Sequence, residues 1–108
     1  MANKITFTYG GKQYVLEFTR ESVEEMERRG FVVEDLLAKP LTVLPTLFAG
    51  AFIANHRFTK RKLINEIYSK IDDKVGLVNT LAEMYALVLE EFIDELQKPN
   101  KDVTWKRI

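Results

Sequence analysis

Among residues able to do chemistry, the chain offers little. It has one histidine, His56, no cysteine, and two serines, Ser22 and Ser69. A metal site needs several converging ligands, and His56 has no second histidine or thiolate to join it. At the expected end of a helix, His56 reads as an exposed side chain facing the last carbonyls and the helix dipole. Asp72, Asp73 and the carboxylates between Glu90 and Glu95 lack calcium-loop spacing and fall on expected solvent faces. The run YGGK at residues 9–12 carries neither the loop length nor the Ser/Thr of a phosphate loop, and an alternating strand follows it where a helix is needed. Neither serine sits in a nucleophile elbow. The expectation is a protein that is not an enzyme, with no catalytic, cofactor-binding or metal-binding residue.

The more informative signal is how charge is distributed. Sixteen basic residues balance sixteen acidic ones, so the chain lacks the basic excess of a dedicated nucleic-acid binder. Yet RFTKRK at residues 57–62 holds Arg57, Lys60, Arg61 and Lys62 with no acid. Between residues 75 and 97 there is no Lys or Arg, and Glu90, Glu91, Asp94 and Glu95 crowd toward the end of an expected helix. The dipole disfavours each such charge by roughly 0.3–1 kcal/mol at low salt, so an offset is expected. The offset is either a neighbour in the same molecule or simply solvent, or else a second copy presenting RFTKRK, a head-to-tail contact of the kind that builds rings or filaments. Phe92, within the acidic run, and Trp105, alone in a polar tail, complete the candidate protein-binding set. Trp105 is expected to fold back onto the core, with partner anchoring as the other reading.

These residues must be positioned by a small framework. At 108 residues, 46% hydrophobic and 30% charged, the composition fits one globular domain. We expect this domain over residues 1–98, followed by a polar tail over 99–108. ITFTYGGKQYVLEF at 5–18 alternates with period two on both sides of Gly10-Gly11, the signature of a β-hairpin. Two strands alone are marginal in water, so the apolar face of Ile5, Phe7, Tyr14, Leu16 and Phe18 is expected to rest on the protein's own helices.

Helices are expected over TRESVEEMERRG, capped by Thr19 and stopped by Gly30, and over FVVEDLLAKP, with Phe31, Leu36 and Leu37 turned inward. A third, over 42–56, starts at Thr42 with Pro45 in its first turn. Its one face carries Leu44, Leu47, Phe48, Ala51, Phe52 and Asn55, and the small residues Ala49, Gly50, Ala51 and Ala54 invite close approach. Thr59 is expected to cap KRKLINEIYSKI. The last helix, about 74–97, ends at Pro99 and has a broad apolar face from Leu77 to Leu96. The fold class is α+β, mainly α: one N-terminal hairpin and about five helices in a small bundle. The start, MANKITFTYGG, has no apolar core of a signal peptide. The stretch 41–54 is too short and too interrupted to span a bilayer, and a cytosolic location is expected.

The order of these segments resembles the tail assembly chaperones of long-tailed phages and related prophage elements. The residues carrying the resemblance are FTYGGKQYVLEFT, SVEEMERRGF, VEDLLAKPLTVLPTLFAGAF and LAEMYALVLEEFIDEL, together covering about residues 5–96. The resemblance implies a protein of the host cytoplasm that binds and solubilises the tape measure protein and helps major tail protein assemble around it. It implies self-association and absence from the mature virion, and it transfers no functional residue. Two other readings accompany it: a structural head–tail connector or tail completion protein, and a small nucleic-acid-binding module resting on RFTKRK.

Overall fold

A computed structural model describes residues 3–98 and 103–108. An antiparallel hairpin, β1 (Ile5–Tyr9) and β2 (Lys12–Leu16), precedes five helices: α1 (Arg20–Arg28), α2 (Asp35–Ala38), α3 (Pro40–Gly50), α4 (Arg61–Lys70) and α5 (Lys74–Gln97). The architecture is α+β, mainly α. Gly10 and Gly11, at φ +58° and +79°, make the two-residue turn that a right-handed strand twist selects. The turn sets Tyr9 opposite Lys12, Phe7 opposite Tyr14 and Ile5 opposite Leu16.

The hairpin rests on the molecule's own helices. Tyr14 and Leu16 are buried, and Phe7 stacks on Tyr14 with ring centroids 5.3 Å apart. Phe52 meets Tyr14 edge-on at 5.8 Å and Phe48 at 5.2 Å, so the aromatic run passes from the sheet into the end of α3. Phe18 and Phe31 both pack on Tyr85 of α5 at 5.5 Å. Burial, and then the carboxylates of Glu27 and Glu34, push the Tyr85 hydroxyl up to about 12. The tip of the hairpin is tied to α4, where the Tyr9 hydroxyl donates to Glu66 at 2.5 Å and accepts from Lys70 at 3.2 Å.

One strand edge is closed by side chains. The closing pair of a two-residue turn is hydrogen-bonded, so alternation turns the backbone groups of Val15 away from β1. The Val15 N–H donates to His56 Nε2 at 2.9 Å, and its carbonyl accepts from Asn55 Nδ2 at 3.2 Å. Two residues on, the Glu17 N–H donates to the Ala51 carbonyl at 3.2 Å. On β1 the outward positions Thr6 and Thr8 are exposed, and the sheet has only these two strands among the described residues.

This clasp corrects two expectations. The third helix stops at Gly50, well short of 56, because the Ala51 carbonyl serves β2 and the chain tightens into turns. There Phe52 bonds back to Ala49 and Ile53 to Gly50, at 3.1 and 3.2 Å. His56 is accordingly part-buried and accepts from a strand, with no role at a helix end. Burial, with the Lys12 ammonium second, lowers its pKa from the ordinary imidazole value. The small residues act largely as expected. Gly50 faces the Met26 side chain so closely that a Cβ would strike it, and Ala51 lets the end of β2 approach.

Helix starts also differ. Thr19 does cap α1, in a reciprocal capping box with Ser22. By contrast α3 begins at Pro40, whose missing N–H costs nothing at a first helical position, so Thr42 lies inside the helix and Pro45 in its interior. The α4 cap position is Lys60, one residue after Thr59, and it makes no side-chain cap bond. The second helix is a single turn, Asp35–Ala38, that starts after the buried Phe31; a turn packs only one side, Leu36 takes it in part, and Leu37 is left 94% exposed. Pro99, the expected stop of α5, lies outside the described residues.

Candidate protein-interaction surface

The long last helix divides in two. Asp73, in the left-handed region at φ 51°, caps it by accepting from the Gly76 N–H at 3.0 Å. In its first half Leu81, Met84 and Tyr85 are buried. In its last turns the same apolar stripe continues uncovered: Phe92 is 38% exposed, Ile93 50% and Leu96 67%. With Leu89 these positions follow i, i+3, i+4, i+7, one face of a helix.

Among the described residues the element beside this face is α1, with Phe18 and Thr19 just before it, and its contribution turns on Arg20. The Arg20 guanidinium lies 4.7 Å from the Phe92 ring centroid, and its Nη1 donates to Glu95 Oε2 at 2.7 Å. Its Nε also approaches Glu24 Oε1 at 3.6 Å. Arg20 thus bridges two shallow grooves between α1 and α5, each of 320 Å³. One is lined by Phe18, Val88, Phe92, Glu91 and Glu95, and the other by Val23, Leu89, Ile93, Glu24 and Glu27. The floor is apolar and the rim carries four carboxylates against one arginine. A surface of this kind can seat an amphipathic segment whose polar flank is basic.

The candidate residues therefore separate into three groups. Glu91, Phe92 and Glu95 come together at the groove, while Glu90 and Asp94 are exposed beside it on the same helix. Among the described residues the intramolecular offset expected for the acidic end is Arg20, paired with Glu95 alone of those carboxylates. Arg57, Lys60, Arg61 and Lys62 lie elsewhere, around the start of α4. Arg57 is already engaged: its Nη2 donates to Glu25 Oε1 at 2.6 Å, and Arg29 bonds the other Glu25 oxygen. That hydrogen bond from Arg57, followed by the charges of the surrounding arginines, holds the Glu25 carboxyl below its ordinary value. Arg61 turns along its own helix to Asn65 Oδ1 at 3.1 Å. Lys60 and Lys62 are exposed. Trp105 does not fold back: it is 86% exposed, while the rings packed on Tyr85 of the core are those of Phe18 and Phe31.

Two contributors escaped the sequence reading. Arg20 stands 75 positions from Glu95, and only its i, i+4 relation to Glu24 is visible along the chain. Asn55, by its spacing the polar end of an apolar helix face, bonds both Val15 and Glu17.

A cavity of 490 Å³ between α1, α3 and the start of α4 is lined by Met26, Phe31, Thr46, Phe52, Arg57 and Arg61 among others. His56 and Thr59 also line it, and His56 Nε2 is taken up by the Val15 N–H. Among the described residues no three His, Cys, Asp or Glu side chains are grouped to hold a metal ion, and no buried side-chain nitrogen or oxygen lacks a hydrogen-bond partner. Among the same residues no helix is long and apolar enough to cross a membrane.

A protein family described as a domain of unknown function, DUF5055, matches residues 1–107. The chain belongs to that family. The match spans hairpin, all five helices and most of the tail, so the DUF5055 unit includes both the covered core and the exposed end of α5. No curated protein and no solved structure matches the chain.

Proposed function

We propose that this DUF5055 chain is a tail assembly chaperone of long-tailed phages: a non-enzymatic protein of the host cytoplasm that holds the tape measure protein soluble while major tail protein assembles around it. The observation that supports this reading is the uncovered Phe92, Ile93 and Leu96 stripe, rimmed by carboxylates, on a helix whose other half is packed into the core. A long helical client exposes apolar stripes before it is sheathed, and an amphipathic helix seats in a groove of this composition through i, i+3, i+4 anchors. The acidic rim selects clients with basic flanks and speeds their encounter. The resemblance over residues 5–96 supplies the identity of the client; the groove supplies only its chemistry.

The test is coexpression with a long, mainly helical tape measure protein. The reading expects a soluble complex, weakened strongly by Leu96→Glu, which puts a charge on the stripe at an already exposed position. A client that stays insoluble with no co-purification sinks it. Finding the chain in purified mature particles by mass spectrometry favours instead a structural connector or completion protein.

A further inference from the structure

We infer that the α1–α5 groove receives the C-terminal segment 103–108 of a second copy of this chain. That segment, VTWKRI, presents three large apolar side chains to solvent: Val103 is 81% exposed, Trp105 86% and Ile108 fully. Beside them stand Lys106 and Arg107, with no acidic residue in the six. The groove has the opposite character, with Phe92 and Ile93 uncovered in its floor and Glu27 and Glu91 on its rim, neither of them in an ion pair among the described residues. An apolar floor with an acidic rim and an apolar segment with basic residues are complementary in both respects. A tryptophan is the side chain that most often anchors such a contact.

Other occupants from the same chain fit less well. Two α5 helices laid face to face would oppose Glu90, Glu91, Asp94 and Glu95 to the same residues of the partner, a like-charge contact. The basic run at 57–62 has already committed Arg57 to Glu25 and offers one exposed apolar anchor, Phe58. The molecule's own tail leaves Trp105 outside the groove. Two copies that exchange tails fill both grooves and close a dimer; a one-way contact propagates a chain of molecules. A six-residue segment covers less than a standard interface, so each contact is weak and reciprocal exchange gains by avidity.

The experiment is sedimentation of the whole chain from about 1 µM to about 500 µM, a range that brackets weak association, read together with the emission of Trp105, its one tryptophan. Association accompanied by a blue shift is expected, and Trp105→Ala is expected to weaken it by roughly tenfold or more. Two charge variants decide the geometry: Glu27→Lys/Glu91→Lys in the groove and Lys106→Glu/Arg107→Glu in the tail, all at exposed positions and checked for unchanged helical circular dichroism. Each alone should fail to associate, and an equimolar mixture should associate again, since one variant then offers a basic tail to the other's acidic groove. The inference is overturned by a wild-type chain that stays monomeric with constant emission. It is equally overturned by emission already blue-shifted in the monomer, which places the tail in its own groove, by single variants that still associate, or by a mixture that does not. No client is present, so the outcome is independent of the chaperone reading.

Discussion

The two ends of the apolar system obey the same periodicity and meet opposite fates. Around the hairpin and α3, Leu16, Leu47, Phe48 and Ala51 have no exposed surface at all, and even the outer edge of β2 is occupied by Asn55 and His56. Along the last turns of α5, residues of equal hydrophobicity at equally regular spacing lie open. Helical patterning tells which residues share a face; whether anything lies against that face depends on how many other elements reach it. Rings from β1, β2 and α4 converge on Phe48 and Phe52, whereas among the described residues Phe92 is reached by the start of α1 and the two residues before it. The uncovered end also carries the acidic charge, which makes it a selective surface as well as an apolar one.

The largest effect expected from this contrast is on stability. Phe48→Ala should cost about 3–5 kcal/mol in chemical denaturation, since the ring is fully buried and its cavity cannot collapse against the aromatic run. Phe92→Ala should cost only about 1–2 kcal/mol, because a ring already 38% exposed has less transfer energy to lose and leaves no closed cavity. Equal losses at the two sites would show that the end of α5 is covered in the folded protein and would break the comparison.

The clasp on β2 sharpens it through pH. His56 accepts from the Val15 N–H only when neutral, and its folded-state pKa is lowered relative to the unfolded chain. The unfolded state therefore binds more protons, and the contribution is intact above the unfolded value of about 6.5. It is lost as pH falls from there through the folded pKa, an effect on the order of 1 kcal/mol for one part-buried hydrogen bond. His56→Phe should remove this component of the pH dependence of unfolding, while a variant at the acidic end such as Glu91→Gln leaves it in place.

Smaller effects belong to the open end. Arg20→Ala should lower stability by only about 0.5 kcal/mol, because its ion pair with Glu95 is largely solvent-exposed, yet it should alter groove binding measurably by unseating Phe92. Asp94→Lys should raise stability by about 0.5 kcal/mol at low salt, by removing a misplaced negative charge from the last turn and adding an i, i+4 pair with Glu90. The same change should weaken association with a basic partner. A variant that is more stable and still binds equally well would show that the acidic charge beside the groove has no part in recognition.

From the sequence by itself follow the Gly10-Gly11 turn, the Thr19 cap, the span of α5 and the two-then-five order of strands and helices. Each rests on sterics, dihedral preference or periodicity acting within a few residues, so a short stretch of chain contains its own cause. The concentration of carboxylates at 90–95, and the resemblance that suggests a client, were equally legible there. Only the tertiary structure decided that α3 ends at Gly50, that Leu37 and Trp105 face solvent, that Arg57 is spent on Glu25, and that Arg20 divides a groove with Phe92 and Glu95. Those outcomes depend on partners 32 to 75 positions away or on the lack of one, as with Arg57–Glu25 and Arg20–Glu95. A local pattern specifies which face a residue occupies, and packing across the whole chain determines what, if anything, comes to meet it.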